Sequence, residues 1–218
     1  DGGFDGCGGY YGNTTKITVV DVSDVTQLKV TAEYYVPGNY ANSRRIGSSV
    51  RVVLSDWFRW PSTVKFYPDF SDPNLYNDKA RWNAALDALK VANEKLIRAQ
   101  TLEQWLPGVK RKLTDGSVVN VGLNCGDFYK SNAPVHLGLA TVATLNLDAI
   151  SKGPSDSALS RSSIVGEVGE IYASTSALYI ASPHWWWWPV PGQQSYTYLH
   201  KFDLTDPSRA SNVASGGV

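Results

Sequence analysis

Short runs of alternating apolar and polar residues dominate the chain and predict β-strands separated by tight turns. Four such runs come early in the sequence, each followed by turn-forming residues: 16–22, 27–36, 42–46 and 50–54. The last two are joined by Gly47-Ser48-Ser49, which predicts a tight hairpin.

The same pattern recurs later in the chain and indicates an internal repeat. Further strand-like runs lie at 142–148, 163–168, 170–174, 177–181 and 196–204. We interpret residues near 17–56 and 142–182 as two copies of one four-stranded sheet, with an unfinished third copy from Tyr196. Four strands in roughly 40–45 residues is the period of β-propeller blades.

A turn signal repeats together with the strands. Asp21 and Asp24 after the first run correspond to Asp203 and Asp206 in the last one. An aspartate here accepts hydrogen bonds from its own backbone and favours a tight turn, which suits a step from one blade to the next. The alternative, a calcium loop, lacks the further oxygen ligands and the glycine that such loops have.

The connection after the fourth strand is long in the first copy, where it spans 62–137, and short in the second. Within it, apolar residues recur at helical spacing and predict a helix at about 77–104 with one buried face. That face consists of Trp82, Ala85, Leu86, Leu89, Ala92 and Leu96. The register falters near 98–101, which also allows two helices with a bend.

The predicted fold is therefore mainly β: a partial β-propeller of about two to three four-stranded antiparallel blades with an α-helical insertion. We treat residues 1–218 as a single propeller segment, the middle of a longer propeller, with its insertion at 62–137. Since so few blades do not close a ring alone, the rest of a propeller or a partner chain is the expected neighbour.

Two aromatic segments occupy corresponding places in the two copies, because residues 54–61 align without gaps on 182–189. We predict both at the same end of the propeller, and the candidate binding residues are Trp57, Phe58, Arg59, Trp60, Trp185, Trp186, Trp187 and Trp188. Each of these aromatic rings removes about 150–250 Å² of surface from water when it is buried, which lowers the free energy of the folded chain. We therefore expect most of the rings to pack on one another and on the insertion. The alternative is an exposed platform for sugar rings, a peptide or another subunit.

Composition and charge narrow the functional classes. Twenty Lys and Arg balance twenty Asp and Glu, so the chain lacks the basic surplus of a nucleic-acid binder. No apolar run is long enough to predict a membrane span. The three histidines, His136, His184 and His200, lie far apart in no metal-ligand spacing, so we predict neither a metal nor a cofactor.

The two cysteines, Cys7 and Cys125, both lie in glycine-rich segments that predict loops. Abundant Trp, Tyr, Gly, Ser and Thr favour an exported protein in which these cysteines form one disulfide. Two free thiols in an intracellular protein are the alternative.

A set of segments carries a family resemblance: 42–47 with 50–54, 101–107, Cys125 ahead of 143–147, 165–166, 171–174, 178–181 and 200–204. Together they resemble a family of bacterial secreted proteins that contain a C-terminal β-propeller domain. The resemblance implies export and a propeller with more blades on both sides. It brings no assigned reaction, ligand or catalytic residue.

Three functions follow from these observations. The favoured one is a secreted or cell-surface, non-enzymatic β-propeller module that binds a protein partner or a glycan through its aromatic blade-end loops. The second is an extracellular hydrolase with its active site at the propeller axis, using Asp56, Asp127 or Glu170 as acids. The third is a structural section of a multi-domain surface assembly.

Overall fold

A computed structural model describes residues 13–58, 60–69, 71–72, 74–106, 108–132, 136–153, 155–184 and 196–218. The chain divides into two compact units. We call residues 1–11 and 59–107 the helical unit, and residues 12–58 and 108–218 the sheet unit.

The sheet unit contains a short helix, α3 (Leu147–Ser151), and all the strands of the described residues. The strands are β1 (Thr14–Asp21), β2 (Lys29–Pro37), β3 (Asn39–Ile46), β4 (Ser49–Trp57), β5 (Val109–Lys112), β6 (Val118–Val121), β7 (Phe128–Tyr129), β8 (Gly138–Asn146), β9 (Leu159–Val165), β10 (Ile171–Ala173), β11 (Ala177–Pro183), β12 (Thr197–Asp203) and β13 (Ser211–Gly217).

These strands form three sheets. The first sheet has the order β1-β2-β5-β6, the middle sheet β3-β4-β8-β9-β7, and the last sheet β10-β11-β12-β13. Neighbouring strands are antiparallel except β7, which runs parallel to β9. The prediction of a mainly β fold, with blade-like antiparallel sheets and a helical insertion, is confirmed.

The hydrophobic core lies on both faces of the middle sheet. On one face, Val52 and Leu54 of β4 belong to a cluster that includes Tyr34 of the first sheet. On the other face, Val53 belongs to a cluster that includes Phe202 of the last sheet. Because both faces are covered, β4 and β8 are buried almost continuously instead of at every second residue.

The blade boundary predicted from the repeat is wrong. Residues 17–56 do not form one sheet, because β1 and β2 lie in the first sheet while β3 and β4 lie in the middle one. The chain changes sheets at Gly38, whose φ of 108° is in the left-handed region that favours glycine. Likewise, β8 and β9 belong to the middle sheet and β10 and β11 to the last.

The free edge of β2 pairs with β5, which comes from the long connection at 62–137. Glu33 of β2 forms ion pairs with Lys16 of β1 and with Lys112 of β5, the latter at 3.0 Å. Opposite charges on neighbouring strands support this order of strands.

The repeated aspartate turns form as predicted, but they act inside sheets and not between blades. Asp21 Oδ1 accepts a hydrogen bond from the Ser23 backbone at 2.9 Å in the turn from β1 to β2. Asp203 Oδ1 accepts one from the Thr205 backbone at 2.8 Å in the turn from β12 to β13. The strands β1 and β12 thus hold the same position in the repeat.

In the helical unit, the predicted helix is divided into α1 (Lys79–Ala99) and α2 (Leu102–Trp105). Asp78 caps α1 by accepting hydrogen bonds from the backbone of Ala80 at 3.0 Å and of Arg81 at 3.1 Å. The division falls where the apolar register falters, and Thr101 and Gln104 form a capping box at the start of α2.

The apolar face of α1 differs from the predicted one in its second half. Trp82, Leu86 and Leu89 are half-buried, whereas Ala92 and Leu96 are exposed. The half-buried stripe continues through Asn93 and Ile97 instead, which preserves the helical spacing.

Candidate functional site

The aromatic segment that follows β4 is divided between the two units. Trp57, in the sheet unit, has 69% of its surface exposed. Trp60, in the helical unit, packs edge-on against Phe66 and Trp105, with ring centroids 5.7 and 6.0 Å apart. Trp57 therefore fits the exposed alternative, whereas Trp60 packs on neighbouring rings and still has 39% of its surface exposed. Phe58 is half-buried.

The other predicted binding residues, Arg59, Trp185, Trp186, Trp187 and Trp188, lie outside the described residues. Their place in the structure stays a prediction.

Around Trp57, backbone contacts join three strand ends of the middle sheet. Trp57 pairs with Gly138 at the start of β8, and the Phe58 backbone donates to the Leu137 carbonyl at 3.3 Å. The Gly166 backbone, just after β9, donates to the Gly138 carbonyl at 3.0 Å. A Cβ atom on Gly138 would lie 3.0 Å from the Gly166 carbonyl oxygen, so a larger residue here would push the Gly166 backbone outward by a few tenths of an ångström.

Two histidines that are distant in sequence meet at this end. The rings of His136 and His184 lie 5.6 Å apart between centroids, and Tyr198 of β12 lies 5.7 Å from His184. Glu167 Oε1 is 3.3 Å from His136 Nδ1. His184 follows β11, and its backbone donates to the Tyr196 carbonyl at 2.9 Å, so the middle and last sheets both contribute to this cluster.

We call this surface the aromatic end. It consists of Trp57, His136, Leu137, Glu167, His184, Tyr196 and Tyr198. Trp57, Leu137 and Tyr196 are exposed, His136 and Glu167 are half-buried, and His184 and Tyr198 are buried. The surface thus offers apolar rings to a ligand together with a carboxylate and an imidazole that form hydrogen bonds.

Two of the acids named for a hydrolase, Asp56 and Asp127, do not form a carboxylate pair at one site. Asp127 lies 3.0 Å from Arg209 and 4.0 Å from Arg161. Arg161 is in the middle of the β8–β9 ladder. Asp56 pairs with Leu139, at the end of that ladder where β8 begins. Leu139 in turn pairs with Val165, which is four residues beyond Arg161 on β9. Four residues along a strand span roughly 13 Å, which is longer than the carboxyl separation of the usual glycosidase pair.

The third acid, Glu170, is exposed just before β10. At Asp127, burial raises the pKa of the carboxyl, and the charges of Arg209 and Arg161 oppose that effect. An acid flanked by two guanidinium groups serves as an ion-pair partner.

His200 lies in the buried face of β12, next to a polar cavity of about 360 Å³. Its Nδ1 is 2.9 Å from Ser215 Oγ, and its Nε2 is buried with no hydrogen-bond partner among the described residues. Burial lowers the pKa of His200 from its ordinary value of 6.5, so the imidazole is neutral near pH 7.

This lowered pKa predicts a loss of stability in acid. As the pH falls below about 6.5, the unfolded chain binds a proton that the folded His200 resists, so the free energy of unfolding decreases. We expect the melting temperature to fall between about pH 7.5 and pH 5.5, and to fall less for His200→Asn than for the wild-type chain. Thermal unfolding at both pH values measures this, and equal decreases in the two proteins would contradict it.

Cys125 is exposed, and Cys7, its predicted disulfide partner, lies outside the described residues. The disulfide therefore stays a prediction. In the part of the chain that the structure describes, no group of three or more His, Cys, Asp or Glu side chains is arranged to hold a metal ion. No helix there is long and apolar enough to cross a membrane.

Mostly antiparallel sheets of four or five strands, with the middle sheet covered on both faces, fit the architecture of a β-propeller. The chain matches the family described as beta propeller domain over residues 6–218, and it belongs to that family. Comparison with curated proteins finds no match, and comparison with solved structures finds none.

The sequence does not predict the meeting of His136 and His184, because the two histidines lie far apart in the chain and in no metal-ligand spacing. One signal was present: the gapless alignment of 54–61 on 182–189 places His184 opposite Asp56. Asp56 comes at the same strand end as Trp57, so the alignment already located His184 near the predicted aromatic loops. For His136, only its position just before β8 places it there.

Proposed function

We propose that this propeller is a non-enzymatic carbohydrate-binding module of a secreted or cell-surface protein, and that the aromatic end binds the sugar. The observation that carries the proposal is the exposed indole of Trp57 beside a strand that contacts Glu167. Trp57 pairs with Gly138, and a Cβ atom on Gly138 would lie 3.5 Å from Cγ of Glu167.

A sugar suits both kinds of group at this surface. The C–H face of a pyranose ring packs on an indole, while its hydroxyls hydrogen-bond to a carboxylate and to imidazole nitrogens. Glu167 and His136 keep about 28% and 30% of their side-chain surfaces exposed, so their polar atoms are within reach of a ligand.

A protein partner fits less well. Covering Glu167 and His136 with an apolar protein surface would remove water from a carboxylate and its partner, which costs free energy. Charged residues are accordingly depleted at the centres of protein interfaces. Sugar hydroxyls, in contrast, replace the hydrogen bonds that water makes.

The secreted or cell-surface location draws on the composition and on the resemblance to exported proteins. Trp185, Trp186, Trp187 and Trp188 come directly after His184 in the sequence, and we include them in the proposed site on the basis of the alignment alone. Detection of the protein in the medium or on the cell surface checks the location.

Binding of the purified chain to a glycan array tests the proposal, followed by titration of the sugar that binds. Trp57→Ala should raise the dissociation constant by roughly 30-fold, because a central aromatic contact contributes about 2 kcal/mol. Tyr172→Ala is the matched control, since Tyr172 is an aromatic residue with 67% exposure that lies on β10, outside the aromatic end. Binding of no glycan, or equal affinity of Trp57→Ala and the wild-type chain, would refute the proposal.

A further inference from the structure

A second cavity, of about 190 Å³, lies between the first strands of the middle and last sheets. Its lining includes Asn42 and Arg44 of β3, Arg51 and Val53 of β4, and Leu178 of β11. None of the described residues that line this cavity belongs to the aromatic end.

Two arginines share one face of the middle sheet at this cavity. Arg44 and Arg51 are directly opposite each other in the β3–β4 ladder. Cross-strand partners point to the same face with Cβ atoms about 5 Å apart, and like charges in that arrangement destabilise the sheet. Within the described part of the chain, neither guanidinium forms a salt bridge with a carboxylate.

The deeper of the two arginines has an unused donor. Only 1% of the surface of Arg51 is exposed, and its terminal nitrogens donate to the carbonyls of Leu204, Asp206 and Pro207. Its Nε is buried and has no hydrogen-bond partner among the described residues. A buried N–H group without an acceptor costs free energy, which an acceptor entering the cavity would recover.

The opposite wall is apolar. Leu178 and Ile171 of the last sheet face the cavity together with Val53, and Leu178 and Val53 are buried in the core between the two sheets. An apolar wall lowers the local dielectric constant and strengthens a charge-assisted hydrogen bond on the other side. Arginine is suited to carboxylate, phosphate and sulfate because its planar fork binds two oxygens at once.

We propose that this cleft binds a small oxyanion, a carboxylate, phosphate or sulfate group, with Arg44 and Arg51 as its cationic partners. The Asn42 amide is a further donor at the exposed side. The anion adds negative charge beside two facing arginines, of which Arg51 also interacts electrostatically with the Asp206 carboxylate. It accepts a hydrogen bond from a buried group, so its binding stabilises the folded chain.

Calorimetric titration and thermal unfolding test the site, with sodium phosphate, sodium sulfate and sodium malonate compared against sodium chloride at equal ionic strength. We expect saturable binding and a higher melting temperature with at least one oxyanion, and not with chloride. Preference for malonate identifies a carboxylate ligand, and preference for phosphate or sulfate identifies a phosphoryl or sulfuryl group. Both preferences support the site.

Arg44→Gln should weaken oxyanion binding by roughly tenfold or more, because it removes a charged hydrogen-bond donor. Arg45→Gln is the matched control: it removes the same charge from the next residue, whose side chain donates to the Gly47 carbonyl at 2.9 Å and lies on the other face. No saturable binding of any oxyanion would overturn the proposal. Equal weakening by the two variants would do so too, because it indicates general charge attraction.

Discussion

Phe202→Ala is expected to lower the free energy of unfolding by about 4 kcal/mol, the largest effect of any single change considered for this chain. Phe202 is fully buried in the cluster between the middle and last sheets, together with Val53, Ile164 and Ile180. The substitution loses the favourable free energy of moving the phenyl ring from water into the core. It also leaves a cavity, because the other side chains between the two sheets keep the sheets from closing on the empty space. Urea-induced unfolding of both proteins measures the difference.

Leu199→Ala is the control for this prediction. Leu199 lies on the same strand, but 37% of its surface is exposed, and it points to the opposite face. We expect it to cost no more than about 1 kcal/mol. A loss for Phe202→Ala as small as that for Leu199→Ala would mean that the last sheet does not pack on the middle sheet through this cluster.

The strands themselves could be predicted from the sequence, because alternation is a local property. The hairpin at Gly47-Ser48 forms as expected, with Ile46 paired with Ser49. The hairpin of β10 and β11 also forms, with Ala173 paired with Leu178. In both cases, the residues that decide the structure are neighbours in the chain.

Which strands share a sheet could not be predicted in the same way. Consecutive strands such as β2 and β3 look like a hairpin in sequence, since Pro37-Gly38-Asn39 is a good turn. The structure uses that segment to leave one sheet for the next, and β2 pairs instead with β5. The choice depends on hydrogen bonds and packing between distant segments, which no local pattern encodes.

The candidate site was predicted only in part. The sequence predicts binding residues at the end of β4, and the structure leaves Trp57 exposed at that strand end. The role of these residues in binding stays a prediction. The contacts of His136 with Glu167 and with His184 depend on how distant segments pack. The alignment of 54–61 on 182–189 locates His184 near this strand end, but the spacing of these residues in the chain does not predict the contacts themselves.

Arg51→Met should lower the free energy of unfolding by about 3 kcal/mol, because the guanidinium connects the middle sheet to the turn between β12 and β13. Its terminal nitrogens donate to Pro207 at 3.1 Å, to Leu204 at 3.3 Å and to Asp206 at 2.5 Å. Each charged hydrogen bond contributes roughly 1.5–3 kcal/mol, and the sum is reduced because burying the charge is itself costly. That cost is seen in the lowered pKa of Arg51, which burial causes and which Asp206 opposes.

Two further variants separate the hydrogen bonds from the charge. Arg51→Lys keeps the charge but loses the planar fork, so we expect a loss between those of the wild-type chain and Arg51→Met. Arg45→Met removes an exposed arginine from the neighbouring strand and should change the free energy of unfolding by no more than about 0.5 kcal/mol. Hydrogen exchange adds a local test: the backbone amides of Thr205 and Ser208 should exchange faster in Arg51→Met, even under conditions where the chain stays folded. Unchanged exchange in that turn, together with unchanged stability, would show that the last sheet does not depend on Arg51 for its attachment to the middle sheet.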